Sequence, residues 1–179
     1  MKRIFIAINL SPNMKEKLRQ YQQEIAGLFP EEISQAIFKW VKPENLHITL
    51  LFVGEVKDEN LLDIIERTKK AAEDISPFQL NLGEVCYDNK KAPRLVWLKL
   101  AKNEQLSQIA ENLGNFDFSP HITLARIRTW QWKYINPEEQ PEININIEEE
   151  ILVSSLDIME SVLKRSGPEY IALQKILLK

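Results

Sequence analysis

Cysteine and histidine are scarce in this chain of 179 residues. Its one cysteine, Cys86, cannot form an internal disulfide, which excludes a disulfide scaffold and favours a reducing compartment. No run approaches the ~20 apolar residues of a membrane-spanning helix, and the first residues show no signal-peptide cleavage site. The net charge of −3 argues against a positively charged coat that would hold long nucleic acids non-specifically. We therefore expect a single cytoplasmic, monomeric domain over residues 1–179, without membrane contact.

The two histidines stand in identical tetrapeptides, His-Ile-Thr-Leu, 74 residues apart (121 − 47). Each tetrapeptide lies in an apolar run that predicts a β-strand, and residues i and i+2 of a strand point to the same face. His47 therefore lies beside Thr49, and His121 beside Thr123. Each strand offers an imidazole and a hydroxyl side by side on a rigid element.

The residues between and after these pairs are apolar, and the alternation predicts that they face a core. These are Ile48, Leu50 and Phe52 in the first strand, and Ile122 and Leu124 in the second.

Hydrophobic periodicity predicts three helices and about ten strands joined mostly by short turns. The helices are predicted at 12–27, 57–75 and 103–113. The strands are predicted at 2–8, 36–42, 46–53, 78–86, 94–100, 119–128, 143–147, 151–158 and 170–177. Residues 129–142 read as a long loop, and a turn is predicted at 166–168. This order favours an α+β fold with largely antiparallel sheets, and the order strand, helix, His-Ile-Thr-Leu strand occurs twice.

Two imidazoles and two hydroxyls suit acid–base chemistry at a phosphodiester. The ordinary pKa of imidazole, about 6.5, lets one histidine take a proton while the other gives one. Threonine hydroxyls can donate to phosphate oxygens. Alternatives remain: buried histidines satisfied by hydrogen bonds, or a metal site built from two histidines and a carboxylate. Cys86 is interpreted as a packing residue rather than a nucleophile.

At these residues the sequence resembles the RNA 2′,3′-cyclic phosphodiesterase (2′-5′ RNA ligase) branch of the two-histidine (2H) phosphoesterase superfamily. The resemblance covers nearly the whole chain and is carried by five segments. They are 3–7 (Arg-Ile-Phe-Ile-Ala), 40–56 around the first His-Ile-Thr-Leu, 93–97 (Pro-Arg-Leu-Val-Trp), 118–126 around the second, and 163–170.

The resemblance implies a bilobal α+β fold with two mostly antiparallel sheets, helices on the outside, and the two His-x-Thr strands facing a central cleft. It implies hydrolysis of a terminal RNA 2′,3′-cyclic phosphate to a 2′-phosphomonoester, without metal, ATP or another cofactor. His47 is then the proton donor to the leaving 3′ oxygen and His121 the acceptor that activates water. Thr49 and Thr123 hold the phosphate. Reverse 2′-5′ ligation is expected as a side activity.

The implied partners are RNA 3′ ends that carry a 2′,3′-cyclic phosphate, including tRNA fragments. There are two alternatives: hydrolysis of small nucleotide cyclic phosphates, and binding of RNA ends without turnover. Arg126 is a candidate phosphate ligand, although its spacing from His121 would turn it away from the cleft unless the strand bulges. Phe5 and Arg3 are candidate base or RNA contacts, with core packing as the alternative for Phe5.

Overall fold

The computed structural model describes residues 1–135, 140, 142–165 and 167–179. This part of the chain forms ten strands and five α-helices. The strands are β1 (Lys2–Asn9), β2 (Phe38–Trp40), β3 (His47–Val56), β4 (Phe78–Tyr87), β5 (Leu95–Leu100), β6 (His121–Ile127), β7 (Ile145–Asn146), β8 (Glu150–Val153), β9 (Ser155–Lys164) and β10 (Gly167–Leu177). The helices are α1 (Pro12–Gly27), α2 (Glu31–Ile37), α3 (Leu61–Ala71), α4 (Glu104–Asn112) and α5 (Thr129–Trp132).

Local capping sets the ends of two long helices. Ser11 caps α1 by accepting a hydrogen bond from the Met14 backbone N–H at 3.2 Å, and a proline follows the cap. Asn103 caps α4 in the same way, through the Leu106 N–H at 2.9 Å. Gly114 follows α4 with φ +88°, a conformation that glycine adopts without a Cβ clash. These boundaries confirm the predicted first and third helices.

The strands form one sheet in the order β10-β9-β1-β3-β6-β5-β4-β7, with β2 paired to β6 and β8 paired to β4. Every pairing among the described residues is antiparallel. The predicted α+β class is therefore confirmed. The resemblance implied two sheets, whereas the structure has one continuous sheet. Its two halves meet where β3 pairs with β6 through one partner pair, Ile48 and Ile122.

One face of the sheet carries the main core. Side chains of β1, β3, β5 and β6 pack there with those of α1 and α4, and residues of α3 pack against them. Ile48, Leu50, Ile122 and Leu124 are fully buried in this core, as predicted. The helices therefore cover the face opposite to the one that the histidines share.

Both His-x-Thr strands contain a β-bulge directly after the threonine. In β3, Thr49 pairs with Ala7 and Leu51 pairs with Ile6, so Leu50 is an extra residue. In β6, Thr123 pairs with Trp97 and Ala125 pairs with Val96, which leaves Leu124 as the extra residue. A bulge opposes two residues to one and so reverses the alternation of the side chains that directly follow it.

The bulge corrects one prediction. Phe52 was expected in the core, but it is 77% exposed because the bulge at Leu50 turns it to the opposite face. Its Cα partner in β1 is Phe5, which faces the same way.

Three predicted boundaries were wrong in detail. The strand expected at 36–42 is only β2, since its first residues end α2, a helix that was not predicted. The helix expected at 57–75 begins with a 3₁₀ turn, Asp58–Asn60, and α3 ends at Ala71. The strand expected at 151–158 is divided between β8 and β9 at Ser154.

The predicted loop at 129–142 begins with the short helix α5, while 136–139 and 141 lie outside the described residues. Of the turn predicted at 166–168, residue 166 lies outside them, and β10 begins at Gly167. No helix within the described ranges is long and apolar enough to cross a bilayer.

Candidate active site

The junction between β3 and β6 gathers the four predicted side chains. Ile48 and Ile122 face each other across the junction, and both point into the core. Because alternation turns their neighbours to the opposite face, His47, Thr49, His121 and Thr123 all leave the sheet on that face. An antiparallel pair centred on these isoleucines directs His47 towards Thr123 and Thr49 towards His121.

Backbone carbonyls orient both imidazole rings in the same way. Nδ1 of His47 lies 2.7 Å from the carbonyl oxygen of Asn45, and Nδ1 of His121 lies 2.7 Å from that of Ser119. A carbonyl oxygen only accepts, so each Nδ1 carries the hydrogen and donates it. Nε2 is then the atom through which each neutral ring can accept a proton.

A hydrogen bond and two aromatic contacts fix the position of the His47 ring. Its Nε2 accepts a hydrogen bond from the Thr49 hydroxyl at 2.9 Å. Its ring contacts Phe5 at 5.1 Å and Tyr170 at 5.3 Å, measured between ring centroids. Burial is the main cause that lowers the pKa of His47 to about 4, while the Asn45 carbonyl raises it and the charges of Lys15 and His121 lower it slightly.

His121 lies in a more open position. Its ring stacks on the indole of Trp97, with centroids 4.2 Å apart and planes inclined by 24°. Within the described ranges, Nε2 of His121 has no hydrogen-bond partner. Burial lowers the pKa of this histidine as well, and its bond to the Ser119 carbonyl opposes that effect.

The bulge at Leu124 brings Arg126 to the same face as His121 and Thr123. Arg126 pairs with Leu95, which lies two residues from Trp97 and so shares its face. The side chain of Arg126 is exposed. On the sequence alone, Arg126 requires a bulge in this strand to approach a phosphate. The strand has that bulge, at Leu124.

The two residues named as candidate RNA contacts occupy different environments. Phe5 is only 3% exposed and packs beneath His47 with Ala7, Met159 and Tyr170, which favours the packing alternative. Arg3 is exposed, two positions before Phe5 on the same strand and face.

Cys86 lies on the same face as the histidines rather than in the main core. It pairs with Trp97, is half-buried, and forms no disulfide. Burial is the largest cause that raises the pKa of its thiol above the ordinary value, which disfavours the nucleophilic thiolate.

A groove lies away from the predicted site residues. This groove, of about 510 Å³ beside α1 and α2, is lined by residues that include Phe29, Phe38 and Trp40, and by none of the site residues. Within the described ranges, no group of three or more histidine, cysteine or acidic side chains is arranged to hold a metal ion.

Known proteins are similar to this chain in sequence. The family model described as LigT-like phosphoesterase matches residues 8–97. A protein of Archaeoglobus fulgidus named RNA 2′,3′-cyclic phosphodiesterase is 31% identical over 94% of this chain and 96% of its own length. A protein of the same name from Thermotoga maritima is 29% identical over 94% of this chain and 91% of its own length.

Solved structures show the same fold. A crystal structure from Thermus thermophilus matches with a TM-score of 0.80 and 28% identity, covering 98% of this chain and 97% of that one. Escherichia coli LigT, in its complex with phosphate, matches with a TM-score of 0.77 and 24% identity over 99% of this chain and 98% of that one.

Proposed function

Since the chain belongs to the LigT-like phosphoesterase family, we propose that it is an RNA 2′,3′-cyclic phosphodiesterase that works by two-histidine acid–base catalysis. The main support for this proposal is structural: the junction at Ile48 and Ile122 directs two imidazoles and two hydroxyls to one face of the sheet. The names of the curated relatives support the reaction and its substrate class.

In the proposed reaction, water attacks the phosphorus of the cyclic phosphate while Nε2 of His121 takes its proton. The bond from phosphorus to the 3′ oxygen breaks, and Nε2 of His47 gives a proton to that oxygen. The product is a 2′-phosphomonoester. Thr49 and Thr123 donate hydrogen bonds to the phosphate oxygens, and the cation of Arg126 offsets their charge.

The low pKa of His47 has a consequence for its role as the donor. Near pH 7 the free protein holds His47 neutral, with Nε2 accepting from Thr49. An anionic phosphodiester beside the ring favours the imidazolium and raises its pKa. The proton that His47 later donates is therefore acquired when the substrate binds, and Thr49 becomes available to the phosphate at the same moment.

We further propose that residues 1–179 form one bilobal domain, with the two sheet halves flanking a central cleft. The enzyme acts in the cytoplasm as a monomer on RNA 3′ ends with a cyclic phosphate, tRNA fragments among them. Arg3 lies where the RNA could approach this face. Joining of RNA ends through 2′-5′ linkages is the same ring opening with a 5′ hydroxyl in place of water: the hydroxyl oxygen bonds to phosphorus, its proton goes to His121, and the bond to the 3′ oxygen breaks.

The test is incubation with a short RNA that ends in a 2′,3′-cyclic phosphate, in the presence of EDTA. We expect a product heavier by one water that resists a 3′-specific phosphatase, as a 2′-phosphate does. A protein with both histidines replaced by alanine is the control for a contaminating nuclease. RNA left intact while a cyclic mononucleotide is opened would favour the small-nucleotide alternative, and binding without turnover of either would favour the RNA-end-binding alternative.

A further inference from the structure

Two cations lie side by side on the site face of the sheet. Lys39 of β2 and Arg126 of β6 are Cα partners in an antiparallel pairing. Phe38 and Trp40, on either side of Lys39, pack in the main core, so alternation turns Lys39 to the opposite face, which Arg126 occupies. Both cationic side chains are exposed. An ammonium and a guanidinium therefore stand next to each other at this end of the site.

The charge of this pair is not offset by a carboxylate. Like charges directly opposite each other on neighbouring strands destabilise a sheet. Among the residues that the structure describes, neither Lys39 nor Arg126 forms an ion pair. Glu169 of β10 pairs with Lys164 instead. An anionic ligand beside the two cations would therefore be stabilised by both of them.

The ammonium of Lys39 lies near the wall of the site that contacts His47. Its Nζ is 3.9 Å from the position that a Cβ on Gly167 would take, at the start of β10. Tyr170, in the same strand, contacts the ring of His47 at 5.3 Å between centroids. One short segment of β10 thus approaches Lys39 at one end and the proposed proton donor at the other.

Lys39 lies beyond His47 along the junction of the two sheet halves. The register of the junction places Thr123 opposite His47, and the partner of Lys39 follows three residues later on β6. In the proposed function His47 gives its proton to the 3′ oxygen, so it lies on the ribose side of the phosphorus. A chain that leaves the ribose in this direction reaches Lys39.

We propose that Lys39 binds the phosphodiester that precedes the terminal nucleotide of an RNA, so that the enzyme prefers oligonucleotides to mononucleotides. This inference rests on the proposed function, in which Arg126 offsets the charge of the cyclic phosphate. A second negative charge is present only where the 5′ oxygen of the same ribose continues into another phosphate. A mononucleotide has a hydroxyl there, which offers Lys39 no anion.

The experiment compares two dinucleotides that end in a 2′,3′-cyclic phosphate and differ only in their internal linkage, a phosphodiester or an uncharged methylphosphonate. We expect Lys39→Ala to lower kcat/KM for the phosphodiester by about two- to fivefold, mainly through KM, because an exposed ion pair contributes modestly to binding. The methylphosphonate, and adenosine 2′,3′-cyclic phosphate, should react at nearly the same rate with both proteins. Lys39→Arg should keep the wild-type preference for the charged linkage.

Salt provides a second readout that a purely structural role would not change. Each phosphate of a single strand that a protein neutralises makes log affinity fall more steeply with log salt, by about 0.7. Lys39→Ala should therefore reduce the salt slope of log kcat/KM by about 0.7 for the phosphodiester and leave the slope for the methylphosphonate unchanged. Lys70→Ala, which removes an exposed cation from α3, is the matched control and should change neither slope.

An equal loss on all three substrates would overturn the proposal, because it would show that Lys39 acts at the cyclic phosphate or supports the fold. No loss on any of them would overturn it too. Calorimetric binding of the two dinucleotides with a terminal 2′-phosphate separates this inference from the proposed function. If the wild-type protein opens none of the substrates, the proposed function fails, and a loss of binding in Lys39→Ala confined to the phosphodiester still decides for the phosphate site. Unchanged binding in this variant, or equal wild-type binding of both linkages, would decide against it.

Discussion

The two His-x-Thr strands have the same backbone conformation but different neighbouring side chains. Both present histidine and threonine to one face, orient Nδ1 through the carbonyl two residues earlier, and bulge at the following leucine. The neighbours on the adjacent strand differ, however. Asn9 pairs with His47 where Lys99 pairs with His121, and Ala7 pairs with Thr49 where Trp97 pairs with Thr123.

These neighbours give the two histidines different properties. His47 lies among Phe5, Tyr170 and Thr49, and its pKa falls to about 4. His121 stacks on Trp97 with Nε2 open to an incoming water. The backbone thus supplies the same pair of groups twice, and the side chains around each pair give the two histidines different environments, to which the proposed mechanism assigns the donor and the acceptor roles.

The largest effect is expected from removing either histidine. His47→Ala and His121→Ala should each lower kcat on a cyclic-phosphate substrate by about 10²–10⁴, the usual contribution of a positioned acid or base. Circular dichroism and thermal unfolding would show that both variants remain folded. Substantial turnover in both single variants would contradict the two-histidine mechanism, since neither histidine would then be needed.

The second prediction concerns the free energy of unfolding at acidic pH, to which His47 and His121 should contribute differently. Between pH 6.5 and about 4 the unfolded chain binds a proton at residue 47 that the folded chain does not, so acidification over this range favours unfolding. For His47 the contribution is on the order of 3 kcal/mol between pH 7 and pH 4. Urea unfolding at these two pH values should therefore show a smaller acid loss in His47→Gln than in the wild-type protein.

His121→Gln serves as the companion variant in that measurement. Its histidine is half-buried, so its removal should change the acid loss less than His47→Gln does. Equal acid losses in the wild type and both variants would contradict the assigned difference between the two environments.

The smallest effect is expected on the free energy of unfolding, from loss of the amides at the bulges of β3 and β6. Asn115→Ala leaves the buried Leu50 carbonyl without its side-chain donor. Gln22→Ala removes the side-chain donor from the carbonyls of Leu124 and Val41, although the Leu124 carbonyl still accepts from the Val41 N–H at 2.9 Å. We expect each to lower the free energy of unfolding by about 1–3 kcal/mol. Gln108→Ala, which breaks only an exposed hydrogen bond to Asn112, should change it by less than about 0.5 kcal/mol. If Asn115→Ala is as mild as this control, the amide does not hold the bulge.

The sequence predicts the paired motifs because they depend on local pattern. Alternation places His47 beside Thr49 and His121 beside Thr123, and the structure brings all four to one face. The bulges are different, since each depends on an amide far along the chain. Asn115 is 65 residues from Leu50, and Gln22 is 102 residues from Leu124.

The direction of Phe52 was predicted wrongly because the bulge before it depends on a residue far along the chain. Uninterrupted alternation sends Phe52 into the core, and the bulge sends it to the opposite face. A signal was nevertheless present. The same tetrapeptide precedes both positions, so the bulge that Arg126 would need applied to Phe52 as well. The short helix α2 was missed because its seven residues are too few for a clear period.

If His47 is the proton donor and His121 the acceptor, a change of leaving group should affect their alanine variants differently. In 3′-deoxyadenosine 2′-(4-nitrophenyl phosphate) the leaving oxygen belongs to 4-nitrophenolate, which departs without a proton. We expect His47→Ala to hydrolyse this diester at nearly the wild-type rate, while His121→Ala remains impaired because water still needs its base. Rescue of His121→Ala alone would show that the two roles are reversed, and equal impairment of both variants would contradict a donor role for His47.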